Sequence, residues 1–218
     1  MLIDIHSHNA DAPLSVFCVL NVQPDKQQPY LKVGLPKAGL GLSVGIHPWH
    51  TMEWTMEEVT RLEPVFALPT VLLIGEIGLD KACKVPLDHQ LQLFHAQAAL
   101  ADKLQKPVLL HMVRSLAEVI AVKRTYPHVP AWIIHGFRGG RQEAGQCLSN
   151  GFYLSFGQKF KIEGLRACPL QRMFAETDES RHLDTIYSAI AKEKQITIKE
   201  LEDQLYRNFN ELFPAWLL

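Results

Sequence analysis

Four histidines and two carboxylates stand within or at the ends of short hydrophobic runs, and their types suit the binding of divalent metal. His6 and His8 are spaced i, i+2, so at a strand end their imidazoles face the same side and can hold one cation together. Glu76 lies inside the run Ile74-Gly75-Glu76-Ile77-Gly78-Leu79, where no neighbour offsets its charge. Burying a lone carboxylate is costly, so a buried ion pair or a metal accounts for it. His111 follows Val108-Leu109-Leu110, His135 follows Trp132-Ile133-Ile134, and Asp178 closes a run that begins at Arg172. Any one of the later histidines alone would read as a core imidazole bonded to backbone; their repetition points to a shared site. The six side chains are enough for two divalent ions bridged by a carboxylate, and mixed nitrogen and oxygen donors leave Mg, Mn and Zn open. Such a site activates water and clamps the oxygens of an ester under attack.

Residues so far apart in sequence need a scaffold that gathers them. Seven runs, over residues 2–8, 42–50, 72–80, 108–112, 132–137, 152–157 and 172–178, each read as a buried strand with a polar C-terminal end. A barrel of parallel strands collects such ends at one face. Residues 15–22 (SVFCVLNV) supply an eighth strand that delivers no ligand. After Pro86, apolar residues recur at helical spacing at Leu87, Leu91, Phe94, Ala98 and Ala101, and Pro107 stops that helix. Further helices are predicted over 115–126, 141–149, 161–168, 182–194 and 198–212, the last with Thr197 and Glu200 as a capping box.

The N-terminal third departs from this rhythm. There is no room for a crossover helix between His8 and Leu14, and residues 22–41 carry Pro24, Pro29 and Pro36 with weak helical periodicity. A parallel crossover normally needs a dozen or more residues. The sequence therefore favours an antiparallel hairpin for the second strand over a bare loop that returns the chain. The predicted fold is a TIM-like (β/α)8 metal-dependent hydrolase barrel, truncated in its first one or two helices. No Gly/Ser linker or low-complexity tract divides it, so a single domain is expected over residues 1–218.

Composition narrows the function classes. Hydrophobic content of 47% and charged content of 21% are ordinary for a globular protein, and the net charge of −1 gives no global electrostatic case for nucleic acid or membrane. Cations just beyond strand ends, among them Lys81, Arg114, Arg138 and Lys159, still allow a local anion-attracting rim. No run of exposed aromatics for base stacking accompanies them. The four cysteines form no C-x-x-C pair, which suits reduced thiols in the cytoplasm. The N-terminus has no basic segment followed by a long apolar one, so no signal peptide is expected.

In order, the motifs DIHSH, GIHPWH, GEIGLD, PVLLH, IIHGFRGG and ETD resemble those of the TatD family of metal-dependent hydrolases, the TatD-like DNases among the amidohydrolase-type barrels. The resemblance covers residues 2–178 and extends to NFNELF at 208–213. It implies His6, His8 and Asp178 on one metal, His111 and His135 on the other, and Glu76 bridging. Asp178 would also hold or deprotonate the attacking water. His47 matches the histidine of the G-x-H-P motif, near the substrate phosphate. The departures lie around the ligands. Trp49 intervenes in the usual His-Pro-His, so the second histidine falls at His50. Val113 replaces an arginine, with Arg114 next; H-C-F-S-G becomes His135-Gly136-Phe137-Arg138-Gly139; and the Ser-Pro after ETD becomes Glu179-Ser180.

These readings predict a metal-dependent hydrolase of ester bonds, foremost the phosphodiesters of DNA. Asp178, Glu76 and His47 take catalytic roles; His47, His50, Arg114 and Arg138 contact substrate; Trp49 walls the pocket. The same site on a small phosphoester, amide or lactone is the alternative, and a non-catalytic metal-binding barrel acting as a binding module is the third. A PHP-type phosphatase would end in Asp-x-His rather than Asp178-Glu179-Ser180. The expected partners are a DNA or small phosphoester substrate and two divalent ions, with no membrane, in a monomer or homodimer.

Overall fold

A computed structural model describes residues 1–9, 11, 13, 15–24 and 39–214. Eight strands form one sheet in chain order: β1 (Leu2–Ser7), β2 (Val16–Val22), β3 (Leu40–Val44), β4 (Val71–Asp80), β5 (Val108–Val113), β6 (Trp132–Ile134), β7 (Tyr153–Phe156) and β8 (Met173–Ala175). The pairings β1–β2, β3–β4, β4–β5, β6–β7 and β7–β8 are parallel. A parallel bridge between Ser7 and Asp178 returns the end of β8 to β1, which is the closure of a (β/α)8 barrel. The helices alternate with the later strands: α1 (Met56–Thr60), α2 (Glu63–Phe66), α3 (Leu87–Leu104), α4 (Leu116–Thr125), α5 (Arg141–Ser149), α6 (Ile162–Ala167), α7 (Leu183–Lys194) and α8 (Ile198–Leu212). The chain divides into two compact units, one comprising Met1–Leu20 with residues 133–214, the other Gly41–Trp132.

The second strand corrects the sequence expectation. β1 and β2 are parallel, with Leu2 opposite Val16 and Asp4 opposite Cys18, so there is no hairpin. The physical reason is reach. The residues between Ser7 and Val16, if extended, span about 30 Å, more than the roughly 20 Å length of a six-residue strand, so no helix is needed to return the chain. Among the described residues no helix stands between β1 and β2, as expected; the β2–β3 connection lies largely outside them.

In the first unit the buried strands pack under α7 and α8. Tyr187 of α7 is 1% exposed, accepts from the Ile3 amide at 3.0 Å and donates to the Ile3 carbonyl at 2.8 Å, which anchors α7 to the strand carrying His6. α8 begins at the predicted capping box: Glu200 N donates to Thr197 Oγ1, and Thr197 N to the Glu200 carboxylate. Asn150 caps α5 and Gly151 follows with φ 77°, the stop expected there.

In the second unit every residue of β4 is buried. Its glycines make the close approach to β5 possible. A Cβ on Gly75 would lie 2.5 Å from Leu109 Cβ, and one on Gly78, whose φ is +139°, would lie 2.1 Å from the His111 carbonyl oxygen. Sequence reading missed α1, which starts at a second capping box between Thr55 and Glu58, and α2. It also took α3 as covered by an apolar face alone. Two buried glutamines lie two turns apart on that helix. Gln97 accepts from the Ile46 amide at 2.7 Å and donates to its carbonyl at 3.2 Å. Gln90 does the same for Asp80, at 2.7 and 3.0 Å. α3 thus clamps the backbone just before His47 and at the end of β4.

Candidate metal centre

In the first unit, His6, His8 and Asp178 come together. Asp178 N donates to the His6 carbonyl at 3.0 Å, and His8 N to the Asp178 carbonyl at 2.9 Å, so the backbone itself inserts Asp178 between the two histidines. Asp178 holds φ +56°, a left-handed conformation that aspartate tolerates better than most residues. Its Oδ1 lies 3.6 Å from the Nε2 of both His6 and His8. That is long for a hydrogen bond but suited to a shared ion, since two ligands about 2.1 Å from a tetrahedral cation stand roughly 3.4 Å apart.

His135 belongs to the same unit, with its ring 4.6 Å from that of His6. It forms a further donor group with Glu176 and Asp178, all within 4.8 Å of one another. Glu176 is fully buried. Its Oε1 accepts from the Gly136 amide at 2.6 Å and lies 3.4 Å from His135 Nδ1, and its buried Oε2 has no hydrogen-bond partner among the described residues. A desolvated carboxylate oxygen of this kind fits a cation better than an apolar interior. Asp4, also buried, accepts from the Thr177 amide and hydroxyl at 3.0 and 2.6 Å and so braces the segment before Asp178. Burial pushes its carboxyl up to about 7 against the lowering effect of those bonds. Beside these groups opens a polar cavity of about 140 Å³ lined by Arg138, Gln158, Lys159, Glu176 and Asp178.

The second unit assembles His47, Glu76 and His111 within 4.8 Å of one another. His47 lies beyond β3, as the cap of a 3-10 turn over Pro48–Glu53. Its Nδ1 accepts from the Trp49 amide at 3.2 Å, which assigns the proton of the neutral ring to Nε2, 3.6 Å from Glu76 Oε1. So held, His47 offers a donor rather than a metal lone pair. His111 Nδ1 lies 2.9 Å from Glu76 Oε1 and its Nε2 lies 3.2 Å from Asp80 Oδ2. A neutral ring has one N–H for these two carboxylates, so it bonds one of them and turns a lone pair towards the other. A divalent cation at Nδ1 would be held by His111 and Glu76 together, with Asp80 orienting the ring. Burial raises the Asp80 carboxyl, but the bonds from Trp49, the Ala82 amide and His111 outweigh it and hold the carboxyl below its ordinary range.

The predicted substrate residues are less tightly placed. His50 bonds Glu53 at 3.0 Å with its ring 6.3 Å from that of His47. Arg114 is exposed at φ +54° just after β5, and Arg138 is exposed at the rim of the polar cavity. Sequence reading missed Asp80 and Glu176 as site residues. Both carried the signal used for the others, a carboxylate at or just past the end of a buried run.

The chain matches the model of the TatD related DNase family over residues 4–214. It is 28% identical over 194 residues to the uncharacterized metal-dependent hydrolase YabD of Bacillus subtilis, covering 78% of this chain and 76% of that protein. It is 35% identical over 146 residues to the 3'-5' ssDNA/RNA exonuclease TatD of Edwardsiella piscicida, where the match covers 62% of this chain and only 56% of the relative. The crystal structure of YjjV, a TatD homologue from Escherichia coli, superposes with a TM-score of 0.86 over 98% of both chains at 19% identity, a likeness of fold. The chain belongs to the TatD related DNase family of metal-dependent hydrolases. Among the described residues no helix is long and apolar enough to cross a membrane.

Proposed function

We propose that this protein is a deoxyribonuclease-type phosphodiesterase that works with two divalent cations, Mg or Mn foremost and Zn as the alternative. The observation that carries this reading is the grouping of Asp178 Oδ1 at 3.6 Å from both His6 and His8, a spacing that suits a common cation. His6, His8, His111, His135, Glu76 and Asp178 would hold the ions. When bound, the cations make water more acidic and neutralise charge on the phosphate oxygens. Asp178 accepts the proton of the attacking water. His47, with Nε2–H as donor, stabilises the negative charge that grows on the phosphate, and His50, Arg114 and Arg138 contact the anionic substrate. The family match over residues 4–214 supports reading the chain as a single hydrolase domain over residues 1–218. A cytoplasmic monomer or homodimer remains the working form.

The test is a substrate panel with metal quantified. Equilibrium dialysis against Mn²⁺ is expected to reach two ions per chain. Single-stranded DNA is expected to be cut faster than small phosphoesters, amides or lactones. Saturation below two ions contradicts the two-cation reading. Preference for a small ester, amide or lactone replaces the nuclease reading with the second one.

A further inference from the structure

Trp49 is exposed where a tryptophan of its size is ordinarily covered. It is 56% exposed, with Met52 and Met56 exposed nearby on the same turn and the helix that follows. Yet its ring is held at three points. Nε1 donates to Asp80 Oδ2 at 2.7 Å. The ring meets His47 edge-on at 4.8 Å between centroids, and His111 at 5.9 Å. The backbone amide of Trp49 is taken by His47 Nδ1. A ring fixed in orientation, with much of its surface open to solvent and the histidines of the candidate site nearly perpendicular beside it, is preorganised to receive another flat group.

Resting on the phosphodiesterase reading, we propose that Trp49 is a stacking platform for a nucleobase of a single-stranded nucleic acid next to the reacting phosphate. Every base presents a π-face, so one rigid indole adds affinity for bases without choosing among them. His47 offers its Nε2–H to phosphate, and Trp49 sits two residues away, so one short turn serves both the phosphate and the base. The sequence lacks a row of aromatics, but a single pinned ring needs no row. The insertion of tryptophan into the His-Pro-His pattern thereby acquires a role in choosing nucleotides over base-free phosphodiesters.

The experiment compares binding of a fluorescent eight-residue oligothymidylate with an abasic oligomer of the same backbone, in Ca²⁺ to suppress cleavage. Wild type is expected to bind the base-bearing oligomer about tenfold more tightly. Trp49→Ala is expected to erase that preference while leaving affinity for the abasic oligomer unchanged. Trp49→Phe, which keeps a ring but not the bond to Asp80, is expected to restore most of it. Equal weakening towards both oligomers, or a preference that survives in Trp49→Ala, overturns the proposal. So does a Trp49→Phe protein that behaves like Trp49→Ala, because the bond to Asp80 would then be the whole effect. A wild type that binds with base preference yet cleaves nothing leaves stacking standing and removes the nuclease reading instead.

Discussion

Asp80 Oδ2 accepts a 2.7 Å hydrogen bond from Trp49 Nε1 and lies 3.2 Å from His111 Nε2. One carboxylate therefore orients both a candidate metal ligand and the ring beside it. Replacing it with the isosteric amide removes the charge and the second acceptor lone pairs while preserving shape. Asp80→Asn is expected to weaken Mn²⁺ binding about 10- to 100-fold, with little change in thermal stability. Calorimetric titration of the metal-free protein measures this; unchanged affinity would mean that Asp80 does not orient His111.

Gln97 holds both the amide and the carbonyl of Ile46. Gln97→Ala leaves two buried backbone groups unsatisfied next to His47, at a cost of about 1–3 kcal/mol for each. Urea denaturation is the measurement, and a loss below about 0.5 kcal/mol would show that the contact is dispensable.

Gly78 sits at φ +139°, with the His111 carbonyl where a Cβ would go. Gly78→Ala must move β4 away from β5 or strain the backbone, so a destabilisation of several kcal/mol is expected, together with weakened metal binding through His111. Thermal unfolding checks the first effect. A variant as stable as wild type would contradict the close β4–β5 packing.

Burial pushes the thiols of Cys18, Cys147 and Cys168 up to about 12, from about 9 in the unfolded chain. Between those values the folded protein keeps protons that the unfolded chain releases. Stability from this source is thus whole below pH 9 and lost as pH rises towards 12. Denaturation midpoints are expected to fall over that window, and Cys147→Ala is expected to flatten the decline. At pH 8 an aromatic disulfide reagent is expected to modify only Cys83 quickly, the one cysteine that is not buried. Rapid reaction of all four in native protein would contradict this.

The candidate ligands stand out in the sequence because chemistry and burial conflict there. A charged or imidazole side chain at the end of an apolar run such as that ending in His111 must be explained, whatever surrounds it. Asp80 and Glu176 stand in equally apolar runs, but each shares its run with another carboxylate, and only the contacts separate their roles. The second strand runs parallel rather than as a hairpin because the rule about helical crossovers covers helices only, and eight residues between Ser7 and Val16 are enough for a return without one. Gln90 and Gln97 were invisible for a different reason. On a helix, an uncharged polar residue facing the core looks like a surface residue until its backbone partners are known.

The central claim is that Glu76 and Asp178 belong to a metal centre that cleaves nucleic acid. Mn²⁺-dependent release of nucleotides from single-stranded DNA, measured in parallel for wild type, Glu76→Ala and Asp178→Asn, tests it directly. Activity is expected to disappear with chelator and to fall at least about 100-fold in each variant. Cleavage that persists undiminished in both variants, or that needs no metal, would contradict it.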